Sequence, residues 1–210
     1  MSSTTPNTNT NSDALRNTTR ELHERIEQHP LQKQLASAAI SKENYARYLQ
    51  HLHVLHTAFE ARLKELADKE PFKRVLVDAH FQQEFLERDL ERLSADHSDI
   101  LQKSASLPET NRFGYEGTFA ENDVALLGAL YVLLGSKHGG KYMAHQLRSA
   151  WGREDRHEYL DPYGAEFAAL WKKFVQDLNT VDQQQALLDG ARATYNAFFA
   201  ISDAIVPADK

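Results

Sequence analysis

Apolar residues recur at helical spacing along most of the chain. From Asp13 onward, side chains three or four positions apart are apolar, and these segments end at proline, glycine or polar stretches. No stretch alternates apolar and polar residues as a strand would, and no internal repeat is visible. The pattern therefore predicts an all-α fold, a single-domain helical bundle over residues 13–204 between a disordered N-terminal tail, 1–12, and a C-terminal tail, 205–210. The predicted helices cover residues 13–30, 31–39, 41–66, 71–93, 122–151, 162–178 and 182–204, with a loop over 107–117.

The boundaries of two helices can be predicted from capping residues. Residues 1–12 are rich in Ser, Thr and Asn and lack periodicity, so the first helix is predicted to begin with Ser12 or Asp13 as its N-cap. Asp161 before Pro162 resembles an N-cap followed by proline at the first helical position. We therefore expect a helix to start there.

Glycines interrupt the most apolar predicted helix at residues 135–140, which read Gly-Ser-Lys-His-Gly-Gly. Each glycine inside a helix costs about 1 kcal/mol relative to alanine, so three of them suggest a local need of about 3 kcal/mol. A bend in the helix would explain them. A backbone approached closely by a large, flat group would explain them equally well.

A polar stripe runs along the first predicted helix. Arg16, Arg20, His23 and Glu27 are spaced four, three and four positions apart, so they share one face. Two arginines one turn apart suit carboxylates, and a neutral histidine can bind a metal while a glutamate accepts its other ring proton. A solvated charged face is the alternative interpretation. A flat macrocycle with a central metal and two carboxylates on its edge would account for both the stripe and the glycines.

Composition narrows the classes of function. The 210 residues contain no cysteine, which excludes disulfides, thiolate metal sites and a thiol nucleophile. The net charge is −6, from 30 acidic and 24 basic residues, so no basic field indicates a nucleic-acid partner. No apolar run reaches the length of about 18 residues needed to span a membrane, and no secretory signal is visible. We therefore expect a soluble, cytoplasmic protein that binds neither nucleic acid nor membrane.

Two segments carry a family resemblance. Residues 15–27 resemble the proximal helix of haem oxygenases, where leucine, a basic residue, threonine and histidine precede a glutamate. Residues 130–140 resemble the distal helix of that family, especially the bacterial form with Gly-Ser-x-x-Gly-Gly. Haem has the shape described above, and the resemblance covers about residues 13–204. The chain is thus similar to the bacterial, biliverdin-producing haem oxygenases, which implies their all-α fold.

For the first helix, the resemblance implies a proximal haem site. His23 matches the axial iron ligand of the family, and Glu27 matches the residue that orients this ligand. Arg16 and Arg20 match the basic residues near the haem propionates. His23 is accordingly the expected metal-binding residue.

For the glycine-rich segment, the resemblance implies the distal wall. Gly135 and Gly139 match the glycines whose backbone lies over the haem and leaves room for dioxygen, and Ser136 matches a residue that orients water. Gly140 and His138 complete the expected haem-binding set, although His138 occupies a position that is more often small or apolar. We expect Gly135, Ser136 and Gly139 to serve catalysis.

The implied function is that of a haem oxygenase, with haem as both substrate and cofactor. Such an enzyme uses O2 and electrons to convert haem into biliverdin, carbon monoxide and iron. Because nothing in the sequence resembles a flavin or nicotinamide site, the electrons must come from an external donor such as a ferredoxin, a flavodoxin or a reductase.

Two alternatives remain open from the residues. A non-haem di-iron enzyme of the same fold would use His23, Glu27, His56 and Glu60 directly. A haem carrier or sensor would bind haem without degrading it.

Overall fold

The computed structural model describes residues 10–96, 122–152 and 156–208, and over these ranges it contains helices and no β-strand. The predicted all-α fold is confirmed. The predicted loop 107–117 lies outside the described residues. No helix of the described part is long and apolar enough to cross a membrane. In chain order the helices are α1 (Asn11–Gln28), α2 (Pro30–Ala36), α3 (Lys42–Leu66), α4 (Phe72–Val75), α5 (Gln83–Asp96), α6 (Ala125–Gly135), α7 (Lys137–Trp151), α8 (Phe167–Leu178) and α9 (Gln184–Ile205).

Helix α1 begins before its predicted start. Thr10 is the N-cap, and its Oγ1 accepts a hydrogen bond from the backbone N–H of Asp13 at 3.2 Å, so the predicted Ser12 or Asp13 cap is wrong. The side chain of Asn11 donates to two backbone carbonyls near the end of α8, at 2.9 and 2.7 Å. These tertiary bonds bring the last residues of the predicted tail into the fold, whereas residues 1–9 lie outside the described part.

Helices α1 to α3 otherwise follow the sequence pattern. His29 separates α1 from α2, and its Nδ1 accepts from the backbone N–H of Leu31 at 3.1 Å. Pro30 then stands at the start of α2, where its missing N–H is tolerated. Ser41 caps α3 by accepting from the Asn44 N–H at 3.1 Å.

The predicted helix over 71–93 is wrong, because the chain makes one short helix, α4, then a tight turn, then α5. The separation has a tertiary cause. Glu60 of α3 uses one carboxylate oxygen to accept from the backbone N–H groups of Gln82 and Gln83, at 2.7 and 2.9 Å. This buried carboxylate caps the start of α5, and it comes from a distant part of the sequence.

The glycine-bearing segment, predicted as one helix over 122–151, forms two helices that meet at Ser136. The Ser136 hydroxyl donates to the carbonyl oxygen of Leu133 at 2.8 Å. A serine that bonds the preceding turn competes with the regular helical pattern and favours a bend. The glycines therefore accompany a break in the helix, which the sequence left as one of two possibilities.

Helix α8 begins later than predicted. Pro162 lies in an irregular segment, Gly164 has φ of 53°, and a single 3-10 turn precedes Phe167. The predicted start at Asp161 is therefore wrong. A left-handed glycine ends the irregular segment and redirects the chain into α8.

Two glycines allow α6 and α9 to cross closely in the core. A Cβ on Gly128 would lie 1.9 Å from the carbonyl oxygen of Leu187, and a Cβ on Gly190 would lie 1.8 Å from that of Ala125. The absence of a side chain at each glycine thus leaves room for the backbone of the opposite helix. Helix α6 is buried along nearly its whole length, and α9 also packs against α1. The position of α6 fixes the glycine-rich segment that follows it.

Candidate functional site

A cavity of about 840 Å³ lies between α1 and the start of α7, with contributions from α6, α8 and α9. Its volume is in the range of small-molecule and cofactor sites. The fold brings together residues that are more than 100 positions apart in the sequence. The cavity is lined by every residue predicted for the site, namely Arg16, Arg20, His23, Glu27, Gly135, Ser136, His138, Gly139 and Gly140.

On the α1 wall, His23 combines an acidic neighbour with an accessible ring. Its Nδ1 lies 3.3 Å from Oε1 of Glu27, and 57% of the side chain is accessible. The ring packs edge-on toward Tyr195, with 6.4 Å between the centroids. With one ring nitrogen beside a carboxylate, the other nitrogen is the one left to bind a metal.

The two arginines lie at the exposed rim of this wall. Arg16 is ion-paired with Asp13 at 3.1 Å, and Arg20 donates to the side-chain oxygen of Asn17 at 3.1 Å. Each contact uses one N–H group of a guanidinium that carries five. The remaining donors can bind a carboxylate at the rim of the cavity.

The opposite wall is thin because of its glycines. A Cβ on Gly139 would meet no atom within 4 Å, and one on Gly135 would make an ordinary contact of 3.5 Å with Trp171. Packing within the protein therefore does not require glycine at either position. The missing side chains instead leave space in the cavity, as a bound flat ligand would need. Gly140 differs, because its Cβ would lie 2.2 Å from the carbonyl oxygen of Leu160.

Ser136 and His138 contribute polar groups to this wall. The Ser136 hydroxyl donates to a backbone carbonyl, so its oxygen can still accept a hydrogen bond from water. His138 donates from Nδ1 to the carbonyl oxygen of Gly135 at 3.0 Å, which leaves Nε2 as an acceptor when the ring is neutral. Its ring packs against Phe167 and Trp171, with centroid distances of 4.8 and 5.1 Å.

Aromatic residues that the sequence analysis did not assign to the site supply much of the remaining surface. Tyr131 and Trp171 lie together beside the glycine-rich wall, with 5.1 Å between their ring centroids. Burial raises the pKa of Tyr48 and of Tyr195 to about 12. In the sequence these residues fit the apolar periodicity of their helices and therefore resemble core positions.

Lys137 is the least expected residue of the cavity wall. Its side chain is only 3% exposed, and its Nζ lies over the Tyr159 ring, 3.2 Å from the centroid. Burial lowers the pKa of Lys137 well below its usual value, while the Asp89 and Glu60 carboxylates act in the opposite direction. The burial of Lys137 could have been predicted from the sequence, because Lys137 lies four positions after Leu133 and therefore on a buried face of the helix.

A buried hydrogen-bonded chain lies behind Lys137. Glu60 accepts from Nδ1 of His56 at 2.9 Å, and Nε2 of His56 lies 3.0 Å from the Tyr159 hydroxyl. Because the carboxylate can only accept, Nδ1 carries the proton, and Nε2 of a neutral ring accepts from Tyr159. Burial lowers the pKa of His56, with Glu60 opposing this effect, which favours the neutral ring.

The four residues of the di-iron alternative do not come together as a set of metal ligands. His56 and Glu60 are buried and paired with each other, whereas His23 and Glu27 lie on the accessible face of α1. Within the described ranges, no group of three or more histidine or acidic side chains is placed to hold a metal ion.

The family follows from a match along nearly the whole chain. The sequence model described as Heme oxygenase matches residues 9–204. The chain belongs to the heme oxygenase family. No curated protein is similar enough in sequence to count as a match.

Solved structures of family members share the fold. Heme oxygenase-1 of the cyanobacterium Synechocystis sp. PCC6803, in complex with heme, aligns with a TM-score of 0.79 at 17% identity, covering 94% of this chain and 92% of its own. Heme oxygenase from Leptospira interrogans aligns with a TM-score of 0.71 at 16% identity, covering 94% and 98%. Heme oxygenase-2 of Synechocystis sp. PCC 6803, in complex with heme and NO, gives 0.70 at 17% identity, covering 94% and 88%. At these identities the likeness shows the fold alone.

Proposed function

We propose that this protein is a haem oxygenase that converts haem into biliverdin, carbon monoxide and iron. One observation carries the proposal: His23 on α1 and the space left by Gly139 on α7 line the same cavity. A haem placed between these two walls would have a nitrogen ligand on one face and bare backbone on the other. The family membership agrees with this assignment.

The α1 wall would bind and orient the ligand. His23 would bind the haem iron through the ring nitrogen that does not face Glu27, and the carboxylate would hold the ring in that orientation. Arg16 and Arg20 would bind the haem carboxylates at the rim of the cavity. The aromatic side chains of the cavity would cover the apolar edges of the macrocycle and exclude bulk water.

The glycine-rich wall would control the other face. Gly135 and Gly139 leave room for a diatomic molecule, and Ser136 can hold a water molecule through its accepting lone pairs. Bound haem would supply both the iron that activates O2 and the ring that is opened. Ser136, as a neutral hydroxyl, would orient a proton-carrying water without itself acting as a strong acid.

The electrons would come from a separate protein. A ferredoxin, a flavodoxin or a reductase is the class of partner we expect, because the sequence shows no nucleotide or flavin motif. The cytoplasmic location and the domain bounds 13–204 remain predictions.

A haem titration tests the binding site. Wild-type protein should develop the Soret band of histidine-ligated haem, and His23→Ala should lose it and regain it when free imidazole is added. His145→Ala is the matched control, because His145 is an exposed histidine of α7 that does not line the cavity. An unchanged spectrum in His23→Ala would contradict the assignment of His23 as the residue that binds the haem iron.

Turnover tests the reaction. The haem complex, reduced with ascorbate or a reductase under oxygen, should lose its Soret band and develop the absorbance of biliverdin, with release of carbon monoxide. Haem that stays intact after repeated reduction under oxygen would make the protein a carrier or sensor.

A further inference from the structure

Lys137 places an amine at the junction between the cavity and the buried interior. It lines the cavity at the first position of α7, yet its side chain is almost fully buried. Its Nζ lies against the face of Tyr159, which lines the same cavity. Most lysines extend their amine into water, so a lysine that lines a cavity and buries its amine against an aromatic ring indicates a specific role.

The surroundings of Lys137 balance two opposing influences. Burial disfavours the ammonium form. The carboxylates of Asp89 from α5 and Glu60 from α3 favour it, and so does the electron-rich face of Tyr159. His56 also interacts electrostatically with Lys137, and its own burial favours the neutral ring. Burial therefore makes the Lys137 ammonium a stronger acid than an exposed one, and the two carboxylates limit this change.

Tyr159 is held in place from behind. Its hydroxyl donates to Nε2 of His56 at 3.0 Å, and His56 donates to Glu60 at 2.9 Å. The backbone N–H of Tyr159 also donates to Asp89 at 2.9 Å. Donation from the hydroxyl adds electron density to the ring and so strengthens its attraction for a cation. Tyr159 is thus a positioning residue for Lys137.

We propose that Lys137 is the proton-exchange group of the cavity. Its ammonium gives one proton to an oxygen atom of a molecule bound in the cavity and becomes an amine. The amine then takes a proton from a hydronium ion of the solvent, which becomes water. This inference rests on the proposed function, because reduction of O2 consumes protons as well as electrons. A single ammonium gives one proton and must be reprotonated before it can give another.

Titration of the protein without haem tests the amine directly. In protein labelled with 13C at the lysine ε-carbon, the Lys137 signal is assigned by its absence from Lys137→Met. It should titrate at lower pH than the signal of exposed Lys141, and Glu60→Gln should move it lower still, because a carboxylate that favours the ammonium is removed. A midpoint equal to that of Lys141 would overturn the proposal.

Fluoride binding to the ferric haem complex tests proton donation into the cavity without turnover. After correction for hydroxide, which competes with fluoride for ferric haem in every variant, fluoride affinity should fall by about tenfold as pH rises through the Lys137 midpoint. In Lys137→Met it should be weak and lack this transition, whereas Lys141→Met should match wild type. Equal affinities and pH profiles in wild type and Lys137→Met would overturn the proposal.

Tyr159→Phe provides a second variant that keeps the ring and therefore the packing. It removes the hydroxyl bond to His56, so the Lys137 midpoint should shift to lower pH. An unchanged midpoint would show that Tyr159 does not tune the amine.

Turnover separates this proposal from the proposed function. Biliverdin formation in Lys137→Met should be about 100-fold slower than in wild type and should lack the decline at high pH, in line with loss of a general acid. A wild-type rate and pH profile in Lys137→Met would overturn the role of Lys137. If wild type leaves haem intact but the lysine signal and fluoride affinity behave as expected, only the proposed function fails.

Discussion

Gly140 packs so closely against the backbone of Leu160 that any side chain at this position would overlap it. A Cβ at this position would lie 2.2 Å from the Leu160 carbonyl oxygen, well inside van der Waals contact. The neighbouring Gly139 has nothing within 4 Å of its missing Cβ. The two consecutive glycines are therefore needed for different reasons. Gly140 allows close packing within the protein, whereas Gly139 leaves space in the cavity.

Substitution of these two glycines by alanine should separate stability from binding. Gly140→Ala should lower the free energy of unfolding by about 1–3 kcal/mol, because the backbone of Leu160 must move. Gly139→Ala should be neutral or stabilising by up to about 1 kcal/mol, because alanine favours the helix. Gly139→Ala should nevertheless weaken haem binding by about tenfold, since its methyl group occupies the cavity. Thermal unfolding without haem and haem titration measure the two effects, and a destabilised Gly139→Ala would contradict the difference.

The close crossing of α6 and α9 predicts a second pair of glycines whose substitution lowers stability. Gly128→Ala and Gly190→Ala should each destabilise the protein by about 3 kcal/mol or more, because the added methyl would overlap a backbone carbonyl at less than 2 Å. Urea unfolding measures the loss. Gly152→Ala is the comparison for a glycine with open space around it, although its positive φ of 139° adds a separate cost. Full stability in Gly128→Ala would be incompatible with the crossing described.

Because Arg16 and Arg20 lie at the rim of the cavity, the protein should prefer haem with free carboxylates. Wild type should bind haem more tightly than haem dimethyl ester, which lacks those charges. The double variant Arg16→Gln, Arg20→Gln should lose most of this preference while binding the ester as wild type does. Lys33→Gln is the control, because Lys33 is exposed and does not line the cavity. If the double variant still prefers free haem as strongly as wild type, the arginines do not bind its carboxylates.

The protein should lose stability in mild acid because His80 is buried. Burial lowers its pKa to about 4, with Asp177 opposing this effect and Lys173 adding to it. The unfolded chain, with a histidine pKa of about 6.5, takes up the proton first, so the stabilising contribution is complete above that pH and is lost as pH falls toward 4. The limit is about 3 kcal/mol over this window.

The variant His80→Asn isolates this contribution. Asparagine can still accept the bond that Nδ1 of His80 receives from the backbone N–H of Val77, at 3.4 Å. Urea unfolding at about pH 7 and about pH 5 should show a smaller decrease in the variant than in wild type. Equal decreases in the two proteins would show that His80 does not titrate on unfolding.

Asp89 should hold the backbone of Glu158 and Tyr159 in place. Its buried carboxylate accepts from the backbone N–H groups of Glu158 and Tyr159, each at 2.9 Å, and from Arg92 at 2.5 Å. Asp89→Asn should lower the free energy of unfolding by up to about 3 kcal/mol, because it weakens several charge-assisted hydrogen bonds. Glu91→Gln, an exposed change on the same helix, should have little effect. Hydrogen exchange at the Tyr159 amide should accelerate in Asp89→Asn, and unchanged protection would contradict this role.

Local pattern was sufficient to predict most of the helices, and together with the family resemblance it predicted nine of the residues that line the cavity. Arg16, Arg20 and His23 share a face through helical periodicity alone, so their common exposure on α1 needed no tertiary information. The boundaries that were mispredicted depend on distant groups. Asn11 extends α1 by bonding carbonyls near the end of α8, and Glu60 caps α5 across more than twenty residues of sequence.

The helical class, the stripe on α1 and the glycine-rich segment are each encoded within a few turns of chain, so they could be predicted from the sequence. The difference between Gly140, which packs against Leu160, and Gly139, which faces open space, emerges only when the chain is folded, since the two look alike in sequence. The contact of Lys137 with Tyr159 likewise emerges only from the tertiary structure. Burial and its effect on a charged group depend on which segments pack together, and the segment that covers Lys137 follows it by more than twenty residues.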